Sequence, residues 1–162
     1  MNPLYIQKLY RSLYRAIDKS FPDRLYESRT SDFEIWNDGT VLVDESGEPI
    51  VFYHSYESEY GDSHDPRLIY LSKDRDFSEE FGDVTDRYYV KLKNPYYDPD
   101  GIIRDDDGNP FMFEGEPTSL GFLDADPEAM EYLEENGYDG GFDEDYEFLV
   151  VFDSCNLFRL SD

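Results

Sequence analysis

Short apolar runs of strand length recur along the chain between polar turns. Two of them follow one another at 51–56 and 68–72, and each contains a polar or aromatic residue: His54 in the first and Tyr70 in the second. Apolar runs of four to eight residues bounded by turn signals are typical of β-strands. We therefore predict two successive strands, separated by a polar loop, whose histidine and tyrosine could line a nucleotide-binding cleft.

The remaining predicted elements are also short. Strands are expected at 33–36, 40–43, 87–93, 148–152 and 156–160. An Asn-Asp-Gly hairpin signal at 37–39 makes the first two of these consecutive antiparallel strands, followed by the His54 strand. Helices are expected at 76–81 and from the Asp126-Pro127 start signal to the Asn136-Gly137 stop signal. Many short strands with helices outside them predict an α+β fold.

Two segments differ from this pattern. Within residues 1–20, apolar residues recur at helical spacing with basic residues between them, so 3–19 is expected to be an amphipathic helix that packs on the domain. A membrane-surface helix fits less well in so acidic a chain. Residues 96–125 are rich in Asp, Gly and Pro and predict a long, partly mobile, functional loop. Since no repeat or second domain is evident, one domain spanning 1–162 is expected.

Charge is the strongest compositional signal. The net charge is −25, while 39% hydrophobic and 17% aromatic residues supply a core. Four basic residues against Asp18 give +3 for 1–20, whereas 20 acidic residues against Arg104 and Arg159 give −18 for 98–162. Such a surface repels nucleic acid and anionic membranes and attracts a basic partner. Because the sequence has no apolar span and no signal peptide, we expect a protein of the cytoplasm, including that of a host cell.

Metal and thiol chemistry are disfavoured. An EF-hand-type match inside 96–125 fails at its first position, Ile103, which cannot bind calcium, and its flanks are not helical. His54, His64 and Cys155 lack the spacing of zinc ligands. The single Cys155 excludes an internal disulfide and is expected to be a small core residue. We therefore predict no metal site.

The motifs, taken in order, resemble one enzyme family. A strand ending in His54, a strand carrying Tyr70, a short helix and acidic residues near a late strand are similar to the His-Tyr-Glu class of ADP-ribosyltransferases. That class includes diphtheria toxin and the poly-ADP-ribose polymerases, and the local sequence is most similar to its small phage and bacterial members. The similar stretches are 44–56, 69–72, 89–95, 137–140 and 148–152, so the resemblance covers about residue 40 to the C-terminus.

This resemblance implies a split, mostly antiparallel sheet and cleavage of NAD at the nicotinamide–ribose bond. His54 would hydrogen-bond a ribose hydroxyl, the backbone of Ser55 would bind the nicotinamide amide, and Tyr70 would stack on the nicotinamide ring. Ser78 and Phe81 match, in their spacing from that tyrosine, an amide-binding serine and a second stacking residue of the polymerase branch. Positive charge develops on the ribose in the transition state, so a nearby carboxylate lowers the barrier.

Two departures from the family pattern affect these roles. Ser55 replaces the usual glycine, which a backbone contact tolerates if the serine fits the local dihedral angles. When residues 150–153 are aligned with the family pattern, the position of the family's catalytic glutamate falls on Phe148, and Glu147 lies one residue before it. A one-residue slip turns a strand side chain to the other face unless a bulge restores it. Glu147 is therefore the leading candidate, Asp145 and Glu144 are alternatives, and a site without its carboxylate would be inactive.

Two functional hypotheses follow. The first is NAD-dependent mono-ADP-ribosylation of a macromolecular target, expected to be a protein with a basic surface, by a phage or bacterial effector. The second is a catalytically inactive protein on the same fold, whose acidic surface mimics nucleic acid and blocks a basic factor. The enzyme requires His54 and Tyr70, whereas the mimic tolerates their loss and weakens with salt. The sequence does not separate transfer to a target from NAD hydrolysis.

Overall fold

A computed structural model describes residues 32–59 and 68–161. The chain divides after Gly39 into two units. Of the first unit, residues 32–39 are described, and they contain one helical turn, α1, at 32–36. The second unit, from Thr40 onward, holds the other described elements and the candidate site. The predicted helix at 3–19 and His64 lie outside the described residues.

The second unit is built from short strands and few helices. Its strands are β1 (Phe52–Tyr56), β2 (Ile69–Leu71), β3 (Val84–Val90), β4 (Pro95–Tyr97), β5 (Met112–Phe113), β6 (Glu116–Pro117), β7 (Gly140–Phe142), β8 (Leu149–Val151) and β9 (Leu157–Leu160). Its helices are α2 (Arg75–Glu79) and α3 (Pro127–Glu135), with 3-10 turns at Leu120–Ala125 and Ser154–Asn156.

The larger strands form two sheets that meet at one edge. The first has the order β1-β3-β9, and the second has the order β2-β8-β7-β4, in which β4 and β7 are parallel and the other neighbours antiparallel. An isolated bridge between Tyr53 and Ser72 joins β1 to β2. The predicted mixture of helices and mostly antiparallel strands is confirmed.

Both faces of the second sheet are covered. Successive side chains of a strand point to opposite faces, so Val150 enters one apolar cluster while Leu149 and Val151 enter another. The first cluster contains Leu68, Tyr96, Ile103, Leu120, Leu123, Ala129, Leu133 and Val150; the second contains Ile50, Phe52, Leu71, Val90, Leu92, Leu149 and Val151. Burial on both sides explains why residues 148–152 are apolar without alternation.

Helix α3 forms where the start and stop signals predict it. The Asp126 carboxylate accepts hydrogen bonds from the Glu128 and Ala129 amides, both at 3.1 Å, and Pro127 occupies the first turn. Gly137 ends the helix with φ of +76°, which glycine adopts without strain. Within the described ranges, no helix has the length and apolar character needed to cross a membrane.

The predicted hairpin around residues 37–39 is wrong. Residues 32–36 are helical, and the Asn37 amide donates to the Phe33 carbonyl at 2.7 Å. The Asn37 side chain then accepts from the Gly39 amide at 3.0 Å, so the signal makes a local turn. Residues 40–43 make only isolated bridges, from Val41 and Val43. Three apolar residues within four positions, Phe33, Ile35 and Trp36, do not distinguish the helical period from the strand period.

The prediction of one long loop at 96–125 is also wrong. The segment contributes the end of β4, the β5–β6 hairpin and a 3-10 turn. Ile103, Leu120 and Leu123 are fully buried in the first apolar cluster. The acidic residues lie in tight turns: the Asp105 carboxylate accepts from the Asp107 and Asn109 amides at 3.0 and 2.8 Å. These turns keep the charges at the surface while the apolar residues between them reach the core.

Candidate functional site

His54 lies where the two sheets separate. Tyr53 and Ser72 exchange backbone hydrogen bonds of 2.8 and 2.9 Å, and an antiparallel ladder would repeat this at Ser55 and Tyr70. The bridge is not continued; instead the Tyr70 carbonyl lies 2.8 Å from Nδ1 of His54. A carbonyl can only accept, so Nδ1 carries a hydrogen and donates it to this bond. His54 is only 2% exposed, and its side-chain hydrogen bond to the Tyr70 carbonyl replaces the backbone bond that Ser55 would make in a continued ladder.

Three hydroxyl groups form a chain beside this junction. The Ser55 hydroxyl is hydrogen-bonded to Ser78 at 2.9 Å and to Thr85 at 2.8 Å. Ser78 is carried by α2, whose N-terminus is capped by Asp74: that carboxylate accepts from the Phe77 amide at 3.2 Å. The two predicted nicotinamide-binding serines are therefore in direct contact, and both are buried.

Tyr70 is held at its hydroxyl. The phenol donates to the Asp124 carboxylate at 3.1 Å and accepts from the Asp124 amide, also at 3.1 Å. Burial of the phenol raises the pKa of Tyr70 above its usual value, and the negative charge of Asp124 acts in the same direction. The hydroxyl therefore stays protonated, and the ring connects β2 to the 3-10 turn Leu120–Ala125.

Phe148 shares a face of the second sheet with Tyr70. Tyr70 pairs directly with Val150 across β2 and β8, and Phe148 lies two residues before Val150, so the three side chains point to the same side. Val150 belongs to the first apolar cluster, and the partly buried Tyr70 and Phe148 pack against that cluster. The Phe148 ring makes an edge contact with Phe77 of α2 at a centroid distance of 5.3 Å. An aromatic ring thus stands at the sheet position that the family pattern gives to a carboxylate.

The candidate carboxylates lie on the loop between β7 and β8. Glu144, Asp145 and Glu147 are all exposed there. The loop is organised by Asp143, which is buried and accepts from the Glu147 amide at 2.9 Å and the Phe148 amide at 3.3 Å. Burial raises the pKa of Asp143. Glu147 therefore belongs to the hairpin loop just before the strand rather than to a bulge within it.

Phe81 follows the C-terminal end of α2 and lies beside an open cleft. Its ring is 60% exposed and contacts Phe77 edge-on at 5.3 Å. The cleft has a volume of about 640 Å³. Apart from Phe81, its lining consists of five acidic residues, one serine and one glycine: Glu57, Glu59, Glu79, Glu80, Asp83, Ser58 and Gly82. A lining of this charge attracts a cationic group and repels phosphate.

The described residues offer no metal centre. Among them no group of three or more His, Cys, Asp or Glu side chains is arranged to hold an ion. Asp105, the centre of the calcium-like pattern, has both carboxylate oxygens in hydrogen bonds to its own turn. Cys155 is half-buried, and its amide donates to Asp153 at 3.0 Å.

The site contains residues that the sequence predicts and residues that it does not predict. His54, Ser55, Tyr70 and Ser78 meet at the junction of the sheets, as their strand and helix assignments suggest. Thr85, Asp124 and Asp143 were not predicted as site residues. Thr85 faces Ser55 across β1 and β3, which a correct start for β3 at Val84 would have indicated. Nothing in the sequence pairs Asp124 with Tyr70.

The fold and the site define a mixed α/β domain with mostly antiparallel strands and a polar, hydroxyl-rich junction between its two sheets. No protein-family model matches the chain, and neither a curated protein nor a solved structure matches it. The function therefore rests on the chemistry of these residues.

Proposed function

We propose that this domain binds NAD at the junction of its two sheets and transfers ADP-ribose to a protein target. One observation carries the proposal: His54 and Tyr70, on different strands, are joined by a 2.8 Å hydrogen bond next to the Ser55–Ser78 hydroxyl pair. These are four of the five positions to which the resemblance assigns ribose and nicotinamide contacts; the fifth is Phe81. A buried histidine used in place of a backbone ladder bond also gives that residue a fixed orientation.

The residue types suit the chemistry. Nδ1 of His54 donates to the Tyr70 carbonyl, and Nε2 is the ring atom that we propose contacts a ribose hydroxyl when NAD binds. In the reaction the bond between ribose C1′ and the nicotinamide nitrogen breaks, its electron pair leaves with nicotinamide, and the target's nucleophile bonds to C1′ and loses a proton. Positive charge develops on the ribose, and Glu147 is the carboxylate proposed to stabilise it.

The acidic surface supports a basic target. Five acidic residues line the cleft beside Phe81, and the chain carries a net charge of −25. Opposite charges accelerate encounter and favour a partner with exposed lysine or arginine. We place the reaction in the cytoplasm of a host cell, as an effector of phage or bacterial type, because NAD and such targets are present there.

The test is binding and transfer measured together. Purified protein is titrated with NAD by calorimetry and then incubated with labelled NAD and a bacterial lysate, beside Tyr70→Ala and Glu147→Gln. Glu131→Gln, an exposed change on α3 that removes the same charge, is the matched control. We expect one labelled band from the wild type and the control, and none from the other two variants.

The other outcomes are equally informative. Label lost in Tyr70→Ala and kept in Glu147→Gln would move the carboxylate role to Asp145 or Glu144. Release of nicotinamide without any labelled band would indicate NAD hydrolysis. Absence of NAD binding by the wild type would contradict the enzyme proposal altogether.

A second function is favoured by Phe148. An aromatic ring at that position, with the acidic side chains in the exposed loop, suits a catalytically inactive protein that binds a basic factor through its charge. This alternative predicts that Glu147→Gln changes nothing and that complex formation falls steeply between low and physiological salt. It also predicts that Phe148→Glu, which puts a carboxylate on the face of Tyr70, creates labelling activity that the wild type lacks.

A further inference from the structure

We propose that Asp124 is a positioning residue that holds the Tyr70 ring in place for nicotinamide stacking. This inference rests on the proposed function. It concerns a residue 54 positions away in sequence, on the 3-10 turn Leu120–Ala125, to which the resemblance assigns no role.

The contact is specific because it uses one residue twice. The Tyr70 hydroxyl donates to the carboxylate of Asp124 and accepts from its amide, each at 3.1 Å. A phenol can donate once, and both of its hydrogen-bonding roles are taken here by one residue. Two hydrogen bonds from Asp124 to the same hydroxyl fix both the position of that hydroxyl and the direction of the Tyr70 ring axis.

The surroundings make this restraint useful. Tyr70 is only partly buried, and like Phe148 it packs against the first apolar cluster, which contains Val150. An aromatic ring with one open side can change its tilt unless its far end is held. A stacking platform must be flat and fixed before the ligand arrives, since ordering it on binding weakens affinity. Asp124 supplies this fixed point from outside the sheet.

The predicted signature separates positioning from general stability. Asp124→Ala removes the carboxylate acceptor and keeps the backbone donor, Asp124→Asn retains an acceptor oxygen, and Tyr70→Phe keeps the ring but removes both bonds. We expect Asp124→Ala and Tyr70→Phe each to weaken NAD binding about fivefold, the size of one net hydrogen bond. Asp124→Asn should restore most of the affinity. In the two Asp124 variants the turnover number at saturating NAD should stay within about twofold, since the Tyr70 ring itself is unchanged in them.

The decisive measurement is a double-mutant cycle in NAD affinity by calorimetry. If Asp124 acts through the hydroxyl, then Asp124→Ala adds no further loss in the Tyr70→Phe background. Losses that multiply in the double variant would overturn the inference, as would wild-type affinity in Asp124→Ala. Glu131→Gln again controls for the lost charge.

A second readout needs no ligand. In the free protein, nuclear magnetic resonance should show a slowly exchanging hydroxyl proton for Tyr70 that disappears in Asp124→Ala and persists in Asp124→Asn. Absence of that signal in the wild type would overturn the restraint itself. A wild type that shows the signal and does not bind NAD would refute the proposed function, and with it a stacking role for the restrained ring.

Discussion

Replacing His54 separates its structural role from its proposed role in binding. Its Nδ1 bonds to the Tyr70 carbonyl, whereas the ribose contact is proposed for Nε2. An asparagine side chain can place its amide donor near the position of Nδ1, but it has nothing at the position of Nε2. His54→Asn should therefore keep the link between the sheets and lose the ligand contact, while His54→Ala loses both.

The expected magnitudes follow from burial and from the bond that is lost. His54 is 2% exposed, so alanine leaves a cavity and a buried carbonyl without its donor. An unsatisfied buried acceptor costs roughly 1–3 kcal/mol, and a cavity the size of a ring adds about 2 kcal/mol. We expect His54→Ala to lower the free energy of unfolding by about 4 kcal/mol and His54→Asn by about 1–2 kcal/mol.

The assay combines urea unfolding, followed by far-ultraviolet circular dichroism, with NAD calorimetry. A typical domain has a stability of about 5–15 kcal/mol, so the asparagine variant should remain folded at room temperature. Its NAD affinity should fall about tenfold, the value of a well-placed hydrogen bond. Equal destabilisation by the two substitutions would refute the proposed use of Nδ1. Wild-type NAD affinity in His54→Asn would refute a ligand contact and leave His54 as a purely structural residue.

Three further predictions concern packing, pH and salt. Gly82→Ala should lower the free energy of unfolding, measured by urea titration, by about 2–3 kcal/mol, because a Cβ atom there would lie 2.2 Å from the Tyr56 backbone. The control Gly47→Ala, with φ of +86° and no atom within 4 Å of the added Cβ, should lower it by only about 1 kcal/mol. Hydrogen bonds from its own turn, first from Asn109, lower the pKa of Asp105 below 3.8. The contribution of the ionised Asp105 carboxylate to stability should thus be complete above pH 3.8 and be lost as the pH falls through its lower folded-state pKa. A nuclear magnetic resonance titration of Asp105 with a midpoint at or above pH 3.8 would contradict this. Finally, NAD affinity should rise from low to physiological salt, because salt screens the repulsion between the NAD phosphates and a net charge of −25. The affinity for a basic partner should fall over the same range, because salt screens the attraction. NAD affinity that falls with salt would contradict this role of the net charge.

Local patterns predicted much of the fold. The β1, β2 and β8 strands lie within the apolar runs at 51–56, 68–72 and 148–152, and α3 begins and ends at its signals. These features depend on neighbouring residues alone, so they can be recognised without the rest of the chain. The helical turn at 32–36 was missed because the apolar spacing of so short a segment fits either period.

The partners of the site residues were less accessible to prediction. The contacts of Ser55 with Ser78 and Thr85 follow once strand and helix bounds are known, because register then sets the facing residues. Asp124 is different, since its contact with Tyr70 joins a loop to a strand across 54 positions. The buried residues of 96–125 were hidden by the acidic turns between them.

By itself, the sequence determined the main elements, the acidic surface and the candidate residues, because each depends on short-range patterns or on composition. Tertiary structure alone decided which candidates meet. It set His54 into the gap between the sheets, fixed Tyr70 to Asp124, and put Phe148 rather than Glu147 on the face of Tyr70. The physical reason is that strand register and sheet separation are properties of pairs of distant segments, which a residue's own neighbours do not specify.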